Sequence, residues 1–336
     1  MRWPAFLRRL RDERGTALAT VLVMVSVMSA LAVAVTDAAS MSLRRTSNQS
    51  EMEQARWYLL GAEQFAINRI GDLIERNSEM RIDQSEWQGK PVDFPLDEGV
   101  LRLTLWDGSN CFNLNGLVSA GDSNGFGGDA AGQVQFARLL DLLNVRSESA
   151  TSLAAALTDW IDSDANMGPG GAEASAYAHE PYTIADTLMA DMSELERVRG
   201  FDQAIAQRLA PYVCVRPMAG ANALNVNTLL PHQAPLLAMV LGGDFSAAAA
   251  EEAIRTRPRG GWDSVDDFFG SARLSALELT PTTQAYFTTQ SRYFVAVMQV
   301  QRRGASESAA VLLEAGGGRV RVIRRVFGAG DWEHAV

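Results

Sequence analysis

Charged residues are missing from the chain between Thr16 and Thr36, where Thr-Ala-Leu-Ala-Thr-Val-Leu-Val-Met-Val-Ser-Val-Met-Ser-Ala-Leu-Ala-Val-Ala-Val-Thr runs without interruption. About 20 helical residues at about 1.5 Å each cross a hydrocarbon core about 30 Å thick. A backbone in lipid must satisfy its own polar groups, so this run is predicted to be a helix. Past it, Asp37 to Asn77 contains no proline. Trp57, Leu60, Phe65, Ile67, Ile70, Leu73 and Ile74 recur there at spacings of three and four, which predicts an amphipathic continuation. One helix of roughly 55–60 residues, about 85–90 Å long, accounts for both segments.

The pattern then changes period. Residues 78–97 are polar, hold Pro91 and Pro95, and read as a connecting loop. In Val100–Asp107, Leu101, Leu103 and Leu105 alternate with Arg102, Thr104 and Trp106, as in a half-buried strand. Three more strands are predicted near the far end, at Tyr293–Arg302, Ser308–Glu314 and Val320–Phe327, with Gly304 and Gly316-Gly317-Gly318 as their turns. Valine and arginine alternate in the last of them until a register slip at Ile323-Arg324. Together these form a small antiparallel sheet.

Residues 113–285 read as helical, with candidates at Gln133–Leu143, Ala150–Ile161, Ser193–Val198, Asp202–Tyr212, Pro231–Leu241, Ser246–Arg257 and Val265–Phe269. An insertion of this length forms a packed layer of its own rather than a loop. It also repeats itself: Phe112-Asn-Leu-Asn-Gly-Leu117 and Leu224-Asn-Val-Asn-Thr-Leu229 each precede a pair of helices. Alternating Asn side chains suit caps and turns.

Ahead of the apolar run stand Arg2, Arg8, Arg9, Arg11 and Arg14 against Asp12 and Glu13. Positive charge stays on the cytoplasmic side, so the N-terminus is expected inside and the bulk of the chain outside. Without this leader the remainder carries −13 against −10 for the whole. Such an acidic ectodomain argues against nucleic acid, whose phosphates call for Lys and Arg. Two cysteines, Cys111 and Cys214, are present; in an oxidising compartment they form a bridge or remain two buried thiols. For the apolar run three readings are open: a cleaved signal ending near Ala38-Ala39-Ser40, an uncleaved anchor, or a retained helix released from its basic leader after Gly15.

The basic leader ending in Gly15 and followed by the retained apolar helix resembles the prepilin-type signal of type IV pilins and type II secretion pseudopilins. The run Gln54–Ala66 and the pairing of Asn-x-Asn turns with helix-hairpin-helix-like units (Glu194–Leu209 and Asn225–Phe269) resemble the K-type minor pseudopilins of type II secretion, over nearly the whole chain. Thr20 stands at the fifth mature position, where most pilin-like subunits carry Glu; K-type subunits share this departure. The resemblance implies an α+β fold, with a pilin-like long N-terminal helix packed on a small antiparallel sheet and a large all-helical insertion. The expected organisation is a prepilin leader at 1–15, a transmembrane half-helix at 16–36, and the periplasmic half-helix, loop and first strand at 37–112. The helical insertion follows at 113–285, the C-terminal strands at 286–328, and a tail at 329–336. The resemblance further implies cleavage by prepilin peptidase between Gly15 and Thr16 and N-methylation of Thr16. Its expected setting is the inner membrane, single-pass, with a periplasmic C-terminal domain. The implied partners are the I- and J-type minor pseudopilins and the pseudopilus, whose tip this subunit would cap while helping to start assembly and limit length.

One segment invites chemistry. Asp159, Asp162 and Asp164 crowd the end of a predicted helix, and Gly168-Pro-Gly-Gly-Ala-Glu173 follows. Carboxylates at a helix C-terminus oppose the macrodipole. A hard cation taking six to eight oxygens offsets that repulsion, and the family resemblance also implies calcium here, with Asp159, Asp162, Asp164 and Glu173 as candidate ligands. Asp122–Asp129 opens like an EF-hand loop but has Gln133 where the closing Glu belongs, so it reads as a flexible loop. The three histidines, His179, His232 and His334, form no His-Glu-x-x-His motif, and the chain has no Gly-x-Ser-x-Gly elbow. A non-enzymatic secretion subunit is therefore expected. The alternative is a membrane-anchored periplasmic enzyme or ligand-binding protein.

Overall fold

The computed structural model describes residues 13–76, 87–121, 125–145, 149–271, 273–277, 279–303 and 305–328. Most of the leader, much of the polar stretch at 78–97, Asp122, Gly304 and the tail at 329–336 lie outside these. Helix α1 runs Glu13–Arg76 without a break, about 96 Å at the standard rise. Its far half lies on a sheet of five strands: β1 Pro91–Leu96, β2 Gly99–Asp107, β3 Tyr293–Arg302, β4 Ala305–Gly316 and β5 Arg319–Phe327, in the order β1-β2-β3-β4-β5. All neighbours are antiparallel.

Two expectations are corrected here. Pro91–Leu96, read as loop, is an edge strand paired with β2 from Pro91↔Thr104 to Leu96↔Gly99; an edge tolerates proline because one row of its backbone groups faces outward. The helix face on the sheet is only partly the one the large side chains suggested: Ile70 and Leu73 are buried there and Ile67 and Ile74 pack beside them, but Trp57 and Phe65 stay exposed. Ala55, Leu59, Ala62, Ala66, Ile70 and Leu73 are buried there, whereas Trp57 is 74% exposed. Alanines at 55, 62 and 66 let the helix backbone approach Leu101, Leu103, Leu105, Ala296, Met298, Val311 and Leu313, and close packing outweighs side-chain size. Glu63 is buried on this face and meets Arg325 of β5 through two hydrogen bonds of 2.5 and 2.6 Å. The expected slip in the last strand is a bulge: Leu312 opposes Arg324 and Leu313 opposes Val322, leaving Ile323 as the extra residue.

The insertion has its own core, built around Leu114, Leu117, Phe136, Leu139, Leu153, Leu157, Leu236 and Phe268. Helices α2 Ala130–Leu142, α3 Ala150–Ile161, α4 Gln203–Leu209, α5 Ala234–Leu241, α6 Ala247–Arg255, α7 Val265–Phe269 and α8 Pro281–Gln284 supply much of it. The expected helix at 193–198 is a 3-10 turn, Met192–Arg197. The insertion is not all-helical. Phe112–Asn113 pairs in parallel with Val213–Cys214, Leu224–Asn225 pairs in parallel with Phe287–Thr288, and Val118–Ala120 pairs with Phe126–Gly128.

These pairings give the sequence repeat a structural meaning. In each copy the first Asn bends its own chain: Asn113 Oδ1 accepts from the Asn115 N–H and Asn225 Oδ1 from the Asn227 N–H. In each copy the second Asn clamps one distant residue by both backbone groups. Asn115 accepts from the Met189 N–H at 2.8 Å and donates to the Met189 carbonyl at 3.0 Å. Asn227 treats Trp262 in the same way, at 2.7 and 3.0 Å. Each module therefore closes on itself with identical chemistry. Only the first carries a staple, the Cys111–Cys214 disulfide, with Cα atoms 5.7 Å apart and a sequence separation of 103; closing so long a loop contributes about 4–5 kcal/mol in the chain-entropy account.

Asn115 is fully buried and also donates to the Arg216 carbonyl at 2.8 Å. Replacing it with alanine strands an N–H and two carbonyls without water. Asn115→Ala is expected to lower unfolding stability by about 2–4 kcal/mol, read from the urea midpoint. A loss under about 0.5 kcal/mol would show that the clamp does not hold the module.

Candidate functional site

Helix α3 delivers the acidic cluster. Ser149 caps its start, accepting from the Ser152 N–H, and Asp162 ends it, its N–H donating to the Thr158 carbonyl. The next turn carries Asp164, whose carboxylate accepts from the Asn166 N–H at 2.7 Å. Glu173 returns at the end of the glycine-rich stretch, just before the 3-10 turn Ala174–Tyr177. One carboxylate oxygen each from Asp162, Asp164 and Glu173 lies within 4.8 Å of the others.

Asp159 is not in this group. Its carboxylate accepts from the Ala172 N–H at 2.8 Å and the Gly168 N–H at 3.2 Å, folding the glycine-rich stretch back over the helix end. Gly171 has no side chain because a Cβ there would collide with that carboxylate. Asp159 positions Glu173; Asp162, Asp164 and Glu173 face one another.

The electrostatics are unfavourable as the cluster stands. Burial, then the charges of Asp164, Asp159, Glu173 and Asp186, raise the Asp162 carboxyl to about 7. Burial and the Asp159 charge push Glu173 up, and burial pushes Asp159 up despite its two backbone donors. Asp162 Oδ1 and Glu173 Oε1 are buried without a hydrogen-bond partner. Orphaned carboxylate oxygens among like charges are costly and fit a divalent, oxygen-seeking cation. Asp186, in the left-handed region at φ 49°, adds to this field; it lies outside any motif, and no sequence signal pointed to it. Of the calcium-like stretch at 122–129, residues 122–124 lie outside the described ones, and Asp129 caps α2 by accepting from the Gly132 N–H at 2.7 Å.

The second functional element is the rod. From Thr16 the helix is long and apolar enough to cross a membrane, and Leu18, Val21, Leu22 and Met28 are each more than half exposed. Thr20 turns its hydroxyl onto the Ala17 carbonyl at 2.9 Å, as Ser26 does to Leu22 and Thr36 to Ala32. These hydroxyls thus bring no unsatisfied donor into an apolar medium.

Comparison with known proteins decides the family. The type II secretion system protein K family is matched over residues 110–218 and again over residues 224–290. The chain belongs to this family of K-type minor pseudopilins. The two matched segments contain the two Asn-clamped modules. Type II secretion system protein K of Klebsiella pneumoniae is 32% identical, over 94% of this chain and 97% of that protein. Its namesake from Pseudomonas aeruginosa is 32% identical over 95% and 94%. A chain in the crystal structure of the GspK-GspI-GspJ complex from enterotoxigenic Escherichia coli superposes with a TM-score of 0.72 at 27% identity, covering 85% of this chain and all of that one. The family resemblance expected from the sequence is thereby shown.

The raised carboxyls predict a pH dependence. In chelator, unfolded Asp162 loses its proton near pH 4 while the folded group keeps it to about 7. The native state then holds more protons, so stability falls as pH rises through that window. Asp162→Asn should flatten the fall and make the cation-free protein more stable at pH 8. Urea midpoints from pH 4 to 8 that rise with pH in both proteins would contradict this.

Proposed function

We propose that this chain is the subunit at the tip of the type II secretion pseudopilus, assembled with the I- and J-type minor pseudopilins, where it helps start the fibre and limits its length during export across the outer membrane. The observation that carries the reading is that a single exposed apolar helix bears, on its far half, a five-stranded sheet and two further packed modules. A rod alone packs side by side with other rods. A head much wider than the rod obstructs the next subunit on that side. Thr20 supports the same reading: with no carboxylate at the fifth mature position, the rod offers no charge to the terminal amine of a neighbour, and an unpaired carboxylate in lipid is costly. The GspK-GspI-GspJ assembly of the structural neighbour supports the choice of partners.

In this reading the leader stays in the cytoplasm, prepilin peptidase cuts after Gly15, and the new amine of Thr16 is methylated. The helix anchors the chain once in the inner membrane, and the head folds in the periplasm, where the Cys111–Cys214 bridge forms. The role is structural, not enzymatic. Calcium would be held by Asp162, Asp164 and Glu173, with Asp159 fixing the return of the chain. When bound it supplies positive charge to a crowded acidic turn and ties the end of α3 to residue 173.

Intact-mass and N-terminal analysis of chain recovered from membranes is expected to give a methylated start at Thr16, and the mature chain should co-purify with both minor partners. Cells lacking the chain should show pseudopili altered in number and length by electron microscopy. A start at Met1 or near Ser40, with unchanged pseudopili, would sink the proposal.

Calcium at about 100 times its dissociation constant is expected to raise stability by roughly 2.7 kcal/mol, and Asp162→Asn or Glu173→Gln should remove most of that gain. A thermal midpoint indifferent to calcium and chelator would exclude the ion.

A further inference from the structure

On the sheet face turned away from α1, a cavity of about 310 Å³ opens between the sheet and the first module. Val295, Ala310, Leu312 and Val326 form its sheet wall, and Met192 and Val215 its module wall. The pairings Leu312↔Val295 and Ala310↔Val326 put these sheet side chains on one face. The Asp191–Arg324 ion pair also borders the cavity. Arg216 is also part of the lining.

Arg216 is the unusual member. It is 4% exposed, yet among the described residues no carboxylate forms an ion pair with it. Nη2 donates to the Gly108 carbonyl and approaches Cys111 Sγ at 3.5 Å, and the guanidinium lies 4.9 Å from the centre of the Tyr293 ring. Nε is buried without an acceptor, and the bonds Arg216 makes leave Nη1 unused. The nearby carboxylate of Asp107 is already engaged by Ser109, Asn225, Thr228 and Ser291. Burial pulls the guanidinium down to about 10, still charged at neutral pH. A buried cation lacking its anion is expensive to keep, and a guanidinium is the side chain best suited to a carboxylate.

We propose that this cleft binds a carboxylate carried on a short aliphatic stem. The valine, alanine and leucine walls take the stem, and Nη1 of Arg216 takes the charge. The cleft is separate from the acidic turn that ends α3 and asks for the opposite charge. Two sources share this chemistry, a glutamate side chain inserted by a partner protein and a free short-chain acid.

The test is calorimetric titration of the full chain in nanodiscs with hexanoate and, separately, with hexanamide, using empty nanodiscs as background. The acid is expected to bind saturably and at least about tenfold tighter than the amide, because only the acid gives a charge-assisted contact. Equal affinities, or no binding by either, overturn the proposal without any variant. Leu312→Trp, which narrows the cleft, should abolish hexanoate binding while calcium still shifts the thermal midpoint as in the unchanged protein; undiminished binding to that variant would place the acid elsewhere and overturn the proposal. A capped Val-Glu-Val peptide separates the sources. Binding tighter than hexanoate assigns the cleft to a partner's glutamate, and weaker binding assigns it to a free acid.

Discussion

A buried carboxylate joins the modules to the sheet. Asp107 ends β2, beneath the surface, and accepts hydrogen bonds from the Ser109 N–H, the Asn225 amide, and the hydroxyls of Thr228 and Ser291. Those donors come from the exit of the sheet, the start of the second module and the re-entry to β3. One ion thus fixes three chain crossings at the place where the sheet leaves off and the modules begin. A buried charge is tolerable only when so fully solvated by protein donors. The arrangement is demanding, because each donor is in place only when its own segment has folded.

The molecule sets two uses of acid against one another. Asp107 is saturated with donors and serves as a joint. Asp162 and Glu173 are short of donors and sit among like charges. The difference marks which carboxylates hold the fold and which are left with capacity for something else. Arg216 and Arg325 make the same contrast among cations: Arg325 is matched by Glu63 across the helix–sheet contact, while Arg216 has only a carbonyl, a sulfur and a ring.

Period and chemistry made much of this legible in the chain. The apolar run, the three late strands, the slip at Ile323 and the helices at 150–161 and 265–269 follow from local pattern, because each is decided by neighbours in sequence. The face of α1 on the sheet was legible only toward its end, at Ile70 and Leu73; nearer the membrane Trp57 is the larger apolar group, but alanines win where two backbones must come close. β1 was hidden by its prolines, which an edge strand accepts. The Asn repeat was visible as a pattern, yet its purpose was not, since Met189 and Trp262 carry no signature of being gripped by their backbone. In the acidic turn the sequence showed the crowd of carboxylates but not that Asp159 is consumed by the Gly168 and Ala172 amides, nor that Asp186 joins the field from afar; both depend on how the chain returns.

The outer strand β5 carries Arg319, Arg321, Arg324 and Arg325 and is broken by the bulge at Ile323. Irregular, cation-studded borders repel a further strand. Lateral growth by sheet extension, the route by which unguarded β-surfaces stick together, is therefore closed on that flank. Whatever meets the molecule on that side must do so through helices and loops, a geometry that keeps neighbouring copies from zipping into sheets there.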